Sequence, residues 1–308
     1  MSASSLSTSS AVDDSGGADA RERRQRRFGI LLVCGTMVGF SCMDTSAKWL
    51  NHVIPTVEVI WARYAVALVL SLIVANPVRS PALLVSRRPG LQLLRSLLML
   101  LSTALNFFAL RYLQLTETTA INFSLPLLVA LLAGPILGEK VGRHQITAIA
   151  IGFAGVLVVV RPGIGAMHPA AILSILGVFA YAGYVMMTRL CARYDPAHTT
   201  MIYSTFAGVV LTSPLLYWFW QTPPDATTIA LMLFMGFGAI VAHLLLIWAH
   251  ERAPASVLAP FFYTQIVWMG LLGYLVFGDL PDGMSLLGAA IVIASGLYLW
   301  SRERASAS

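Results

Sequence analysis

Charge is scarce in this sequence. Only 11% of its 308 residues are Asp, Glu, Lys or Arg, while 57% are hydrophobic. A soluble domain carries about a quarter charged residues, so an ordinary soluble globule is excluded. Cysteine is equally sparse: Cys34, Cys42 and Cys191 fall in or at the end of apolar segments, and an odd three make no disulfide framework. Catalytic motifs are missing too. His250-Glu251 is followed by Arg252-Ala253-Pro254, without the second histidine of a zinc helix. No Cys/His spacing suits a metal and no Gly-rich phosphate loop is present, so neither a metal-dependent intramembrane enzyme nor an ATP-driven pump is supported. No cofactor is expected. The net charge of +6 is spread between apolar blocks rather than gathered on one solvated face, so nucleic acid is not an expected partner.

What the chain has is apolar length. Residues 1–27 are Ser-rich and end in Arg21, Arg23, Arg24, Arg26 and Arg27, which predicts a disordered cytoplasmic tail. The block that follows exceeds the 7–15 apolar residues of a cleaved signal, so it is expected to stay as the first span. Ten blocks then approach the ~20 residues needed to cross a bilayer. They cover 28–50, 56–75, 90–112, 116–137, 144–160, 169–190, 198–219, 226–249, 254–277 and 284–300. The blocks are continuously apolar rather than alternating, which predicts an all-α membrane protein and not a barrel.

With the N-terminus inside, fifteen of the twenty basic residues fall in the tails and inner loops, from the Arg21–Arg27 cluster through Arg79, Arg87 and Arg88 to Arg302 and Arg304. Only Arg111 and Arg161 fall outside, and Lys48, Arg63 and Arg95 lie within spans. This asymmetry predicts both termini in the cytoplasm and an even number of spans in a bacterial-type inner membrane.

The second half repeats the first at an offset of 140 to 141. Lys48, seven residues before Pro55, returns as Arg189 before Pro196. Ala109, seven before Thr116, returns as Ala249 before Ser256. Leu137-Gly138-Glu139 returns as Phe277-Gly278-Asp279, and Ala154-Gly155-Val156-Leu157 as Ser295-Gly296-Leu297-Tyr298. Each unit, 28–161 and 169–302, holds five spans. An odd number forces the second to enter from the opposite side, which is an inverted-topology repeat of the kind found in secondary transporters; residues 303–308 remain as a cytoplasmic tail.

Two five-span repeats, each with a Gly-acid pair after its fourth span and a small-residue-rich fifth, resemble the EamA family of the drug/metabolite transporter superfamily. The stretch from Arg111 through Glu139 to Arg161-Pro162-Gly163, and Leu258-Ala259-Pro260 to Gly278-Asp279, are similar to members described as S-adenosylmethionine or amino-acid transporters. The resemblance covers nearly everything after residue 28. It implies a ten-helix carrier working by alternating access on a small-molecule substrate; it is poor for the identity of that substrate, because the family also handles riboflavin and other metabolites.

Charges inside spans cost about 2.5–3.5 kcal/mol each on insertion scales, so they face a bundle interior or a wet cavity. Depth along adjacent spans pairs Asp44 with Arg63, and Lys48 with Glu58 nearer the outer surface, as two stacked ion pairs. The second repeat has Val185, Thr199 and Ser204 where Asp44, Glu58 and Arg63 stand, and an uncharged counterpart favours substrate binding for the first pair and gating for the second. Near the bilayer middle, Asn106, Asn122, Tyr181, Tyr184, Tyr263 and Gln265 would line a cavity with aromatic walls, and His243 is a candidate for proton coupling. Thr118, Asn122 and Pro126 share one helical stripe.

A plainer role competes at each position. Lys48 and Glu58 could brace helices at the rim, amide side chains often only link helices, and His243 could be a neutral structural histidine. Tyr217, Trp218, Phe219 and Trp220 read as an interfacial belt. Ala148-Gly152 and Ala290-Ala294 give spans five and ten small-residue faces for packing, including contact with a second copy as a homodimer. A channel would need a ring of like charge or repeated carbonyls, whereas these charges are mixed in sign and confined to one half. The expected function is therefore secondary transport of amino acids or derivatives such as S-adenosylmethionine, with riboflavin or another vitamin as the alternative cargo.

Overall fold

The structure, a computed structural model, describes residues 7–76, 80–137, 142–161, 168–253 and 255–307. Gly138, Glu139, Lys140, Pro162, Gly163, Pro254 and Arg79, which entered the repeat and the charge pattern, lie outside the described residues. The described backbone is helical without strands: α1 (Ser7–Leu50), α2 (Thr56–Ala75), α3 (Pro89–Leu110), α4 (Leu115–Asn122), α5 (Leu125–Leu137), α6 (Arg143–Val160), α7 (Ala170–Cys191), α8 (Ala197–Phe219), α9 (Ala226–Arg252), α10 (Ala255–Phe262), α11 (Gln265–Leu272) and α12 (Gly283–Ala307). A single π-turn, Gly273–Phe277, extends α11. Among the described residues, eight stretches are long and apolar enough to cross a membrane, with Ile146–Val160 a shorter apolar helix.

Local chemistry sets the helix starts. Pro55 and Pro196, the repeated prolines, stand in extended conformation just before α2 and α8. Proline fixes φ and has no N–H to leave unpaired at such an entry. Asp225 accepts from the Thr228 amide to cap α9. From Ser7 onward the expected disordered tail is instead drawn as the first part of α1. Its Ala-, Arg- and Glu-containing end favours helix strongly enough to extend the apolar segment backward.

Two expected spans, 116–137 and 254–277, are not single helices. The first breaks at Phe123-Ser124 and the second at Tyr263-Thr264, again 140 residues apart. Pro126 and Pro260 lack the N–H that would bond the carbonyl four residues back. Both breaks close in the same way: Ser124 Oγ donates to the Ile121 carbonyl and Thr264 Oγ1 to the Phe261 carbonyl, each at 2.7 Å. The ring of Phe123 meets its repeat counterpart Tyr263 edge-on, with centroids 5.0 Å apart.

Packing joins the halves rather than separating them. Helix α1 lies on α9 and α3 on α7, α2 on α8, α6 on α12, and α4 on α11. Exchanging the first repeat with the second maps this set of span pairs onto itself, as halves related by a two-fold axis require. The far end of the bundle is where α1 stops and α2 starts; the near end is where α2 stops and α3 starts.

The small-residue faces of α6 and α12 are spent inside the chain. A Cβ on Gly155 would lie 2.9 Å from the Gly288 carbonyl oxygen, and one on Gly288 would lie 2.7 Å from that of Gly155. Ala148 is buried against Leu127 and Leu299. Ala290 and Ala294, expected to pack, are exposed, because Gly288, Val292 and Ser295 form the buried face of α12. The close approach of Gly155 and Gly288 is thus a contact between repeats. Tyr217, Trp218 and Phe219 are exposed at the far end of α8, with Tyr217 at 86%, as an interfacial belt requires.

Gly288→Val should lower the melting temperature of the detergent-solubilised protein by several degrees, in line with overpacking of about 1–3 kcal/mol. Ala290→Val, two residues away on the exposed face, should leave it within about 0.5 kcal/mol of the parent. Equal melting curves for the two variants would contradict the α6–α12 contact.

Candidate functional site

At the far end, Lys48 is 7% exposed near the last turn of α1. Its ammonium lies 2.6 Å from Asp279 Oδ2, donates to the Leu113 carbonyl at 3.0 Å and sits over the Phe277 ring at 4.8 Å. The expected Lys48–Glu58 pair is not formed. Glu58, at equal depth but turned toward α8, accepts from the Gln221 amide at 3.1 Å, and its other oxygen is buried without a partner. Helical rotation and the close approach of the second repeat decide the partner, and depth alone supplies neither. Both contacts bind one repeat to the other.

A third far-end tie joins Arg161 to Asp282 in an ion pair. Arg161 closes α6 with φ of 50°, a left-handed conformation unusual for a side-chain-bearing residue. Its hydrogen bond and charge, with the Ser285 bonds, hold the Asp282 carboxyl below the usual range, at about 2.

The near end is closed by Asp195, in the turn before α8. Its carboxylate accepts from Ser86 Oγ at 2.5 Å, the Arg87 amide at 2.8 Å and Gln92 Nε2 at 2.9 Å. Gln92 also donates to Thr200 at 3.0 Å. Burial pushes the Asp195 carboxyl up, but the hydrogen bonds from Ser86, Gln92 and Arg87 outweigh it and leave the group below the ordinary carboxylate value.

Between these ends lies a polar centre. Asp44 projects from α1 and Arg63 from α2, both half-buried. They do not form the expected ion pair, although Arg63 is the cation whose field reaches Asp44. Arg63 donates instead to Thr103 Oγ1 at 3.4 Å and lies over the rings of Phe107 and Tyr64, at 5.5 and 5.9 Å. Tyr64 is fixed by its hydrogen bond with Thr103 at 3.1 Å and by Gly208 of α8, where even a Cβ would collide with the ring.

Arg95 of α3 completes the centre and was not singled out as a site residue from sequence. It is 5% exposed. Its guanidinium donates to Thr188 Oγ1 at 2.8 Å, the Thr200 carbonyl at 3.1 Å, Tyr184 Oη at 2.9 Å and Ser204 Oγ. It also covers the Tyr184 ring at 4.6 Å, and Tyr184 stacks on Tyr181 with centroids 5.3 Å apart. Tyr181 keeps 36% of its surface accessible. Ser204 is the repeat counterpart of Arg63, so the second half answers the first half's guanidinium position with a hydroxyl that receives Arg95. The usable signal was the census of intramembrane cations, which held three residues and left Arg95 unassigned.

His243 of α9 donates through Nδ1 to the Ala239 carbonyl at 2.7 Å, meets Phe40 edge-on, and lies within the fields of Arg63 and Arg95. Arg63 with Tyr64 and Phe107, and Arg95 with Tyr184 and Tyr181, thus form two cation–ring groups that both lean on α3, whereas Asp44 and His243 make no ion pair with either arginine among the described residues. Asn106 stands on α3 beside α7, with Oδ1 buried and unpaired. Tyr263 does not join them: it rests on Phe123 and against Gly296 of α12. Asn122 and Gln265 flank the two helix breaks and are half-buried. Among the described residues no group of three His, Cys, Asp or Glu could hold a metal ion.

The comparisons with known proteins follow the same lines. A family model described as EamA-like transporter family matches residues 27–161 and again 168–301. The S-adenosylmethionine uptake transporter of Rickettsia felis is 24% identical over 276 residues, covering 89% of this chain and 92% of that protein. The riboflavin transporter of Vibrio cholerae is 26% identical over 278 residues, covering 89% and 93%. A solved crystal structure, 16% identical, superposes with a TM-score of 0.60 over 89% of this chain and 98% of its own, a likeness of fold.

Two outcomes follow at the ends of the bundle. Lys48→Met strips the partner from a partly buried carboxylate, so a double-mutant cycle with Asp279→Asn should give a coupling of about 1 kcal/mol or more in thermal unfolding; additive single effects would remove the pair as a tie. A carboxyl held low contributes stability that is present above its unfolded value and lost as pH falls through its folded one. The Asp282 contribution should therefore fade from about pH 4 down to about 2, and Asp282→Asn should flatten that part of the melting profile. An unchanged profile would contradict the Arg161–Asp282 tie.

Proposed function

Because the chain belongs to the EamA-like transporter family, we propose that it is a secondary transporter moving a small organic metabolite across a bacterial-type inner membrane by alternating access. The broken fourth and ninth spans and the short α6 complete ten crossings in this reading, as two five-span repeats of opposite orientation with both termini in the cytoplasm. Amino acids or a derivative such as S-adenosylmethionine are the leading cargo, supported by the name of the Rickettsia relatives. Riboflavin is the second reading, supported by relatives of equal likeness. The protein acts as a carrier rather than an enzyme.

One observation carries the reading. Arg63 over Tyr64 and Phe107, and Arg95 on the Tyr181–Tyr184 stack, lie between two ends that are each tied by cross-repeat contacts. Ionisable groups in spans that face the interior mark substrate paths. The guanidinium-on-ring geometry supplies both charge and a flat apolar wall for an amino-acid head and a heteroaromatic ring. Exchange between the two sets of end ties would expose this centre to either side.

The test is counterflow in proteoliposomes, with S-adenosylmethionine, amino acids and riboflavin as trial cargoes chosen from a thermal-shift screen. Asp44→Asn and Arg63→Gln should each cut the rate at least about tenfold at normal expression, the scale of losing one charged contact. Parent rates in both variants would remove these residues from the site. Flux that never saturates and shows no counterflow would point to a channel.

A further inference from the structure

We propose that the polar centre is an anion site, so that the cargo presents a carboxylate or similar anion to Arg63 and to the Tyr184 hydroxyl. This rests on the transporter reading only for the word cargo; the binding claim stands on geometry. Two guanidiniums, Arg63 and Arg95, and one half-buried carboxylate, Asp44, stand in the spans between the two ends, and neither guanidinium has a carboxylate within 4.0 Å among the described residues. The other ionisable groups do not correct the balance. Lys48 and Asp279 neutralise each other at the far end, Glu58 is turned to the Gln221 amide, Asp195 is spent at the near end on Ser86, Gln92 and the Arg87 amide, and His243 hydrogen-bonds a carbonyl through Nδ1. With Asp44 ionised the centre holds one uncompensated positive charge inside a membrane-spanning bundle. Such a charge is costly without a counter-ion.

The donors left over show where the anion sits. Arg95 spends four of its five N–H groups on Thr188, Thr200, Ser204 and Tyr184 and serves as a fixed positive support. Tyr184 Oη accepts from Arg95, so its own proton is free to donate, and a donor backed by a cation is a strengthened one. Arg63 has a single long bond to Thr103, at 3.4 Å, and so keeps most of its fork unspent. Arg63 leans on α3 at Thr103 and Tyr184 leans on α3 at Arg95, so both donors are held against the same helix. Arg63 suits the two oxygens of a carboxylate. The Tyr181 face beside it, stacked on Tyr184 yet still accessible, suits an aromatic ring on the same ligand.

The experiment titrates the purified full-length protein in detergent with matched acids and amides, following intrinsic tryptophan fluorescence: benzoate and benzamide, indole-3-carboxylate and indole-3-carboxamide, L-tryptophan and L-tryptophanamide. At least one acid should bind about tenfold or more tightly than its amide. Arg63→Gln should bring that ratio to about one, and Arg63→Lys, which keeps the charge but not the fork, should retain part of it. Tyr184→Phe, which removes one hydroxyl and keeps the ring, should lower the ratio and serves as the readout if Arg63→Gln does not fold. A merely structural role for either residue would weaken acid and amide alike. The proposal is overturned if no acid binds, if the amides bind as well as the acids, or if the folded variants keep the parent ratio. Counterflow separates the two readings: acid-selective binding without flux leaves the anion site standing and sinks the carrier. Saturable flux without acid selectivity does the reverse.

Discussion

The cost of holding a guanidinium inside a membrane governs this molecule. Arg95 is almost fully enclosed, and the surrounding spans are arranged to supply it with acceptors: Thr188 and Tyr184 from α7, Ser204 and the Thr200 carbonyl from α8. That single side chain, on the first repeat, therefore fixes the placement of two helices of the second. Arg63 is held more loosely, by one hydroxyl and two ring faces. The contrast separates a structural cation from a responsive one, and responsiveness is what a binding site needs. The tyrosines serve both: rings for the guanidiniums to cover, and hydroxyls that pass polarity toward the centre.

The pairing of helices across the repeats explains why the site is asymmetric although the fold is not. Helix α1 pairs with α9, α3 with α7, α2 with α8, α4 with α11 and α6 with α12, so each face of the centre is built from both halves. Backbone features follow the symmetry closely. The two helix breaks fall 140 residues apart, with the same hydroxyl-to-carbonyl bond at each and their aromatic residues in contact. Side-chain charge does not follow it, since Ser204 stands opposite Arg63 in the repeat. The backbone is thus symmetric while the chemistry of its side chains is not.

Much of this was legible in the residues. The expected span 56–75 coincides with α2, and most other expected boundaries fall within a few residues of the helices, because hydrocarbon thickness fixes apolar length. The repeat was readable from Lys48, Pro55 and their counterparts. The helix breaks were not drawn, since a hydropathy block is blind to backbone pairing, although Pro126 and Pro260 carried the warning. Pairing was not readable: depth arguments paired Lys48 with Glu58 when the true partner, Asp279, arrives from the other repeat. Arg95 and Asp195 were missed as organising groups because their acceptors are hydroxyls, amides and carbonyls from distant spans, which leave no charge pattern along the chain.

The central claim is that the arginine-lined centre opens alternately to the two sides of the membrane. Its most direct test is a single cysteine at Tyr181, with Cys34, Cys42 and Cys191 replaced by serine, exposed to a membrane-impermeant thiol reagent from each side in turn. Modification from both sides, with bound cargo shifting the balance, is the predicted result. Labelling from neither side, or from one side under every condition, would contradict it.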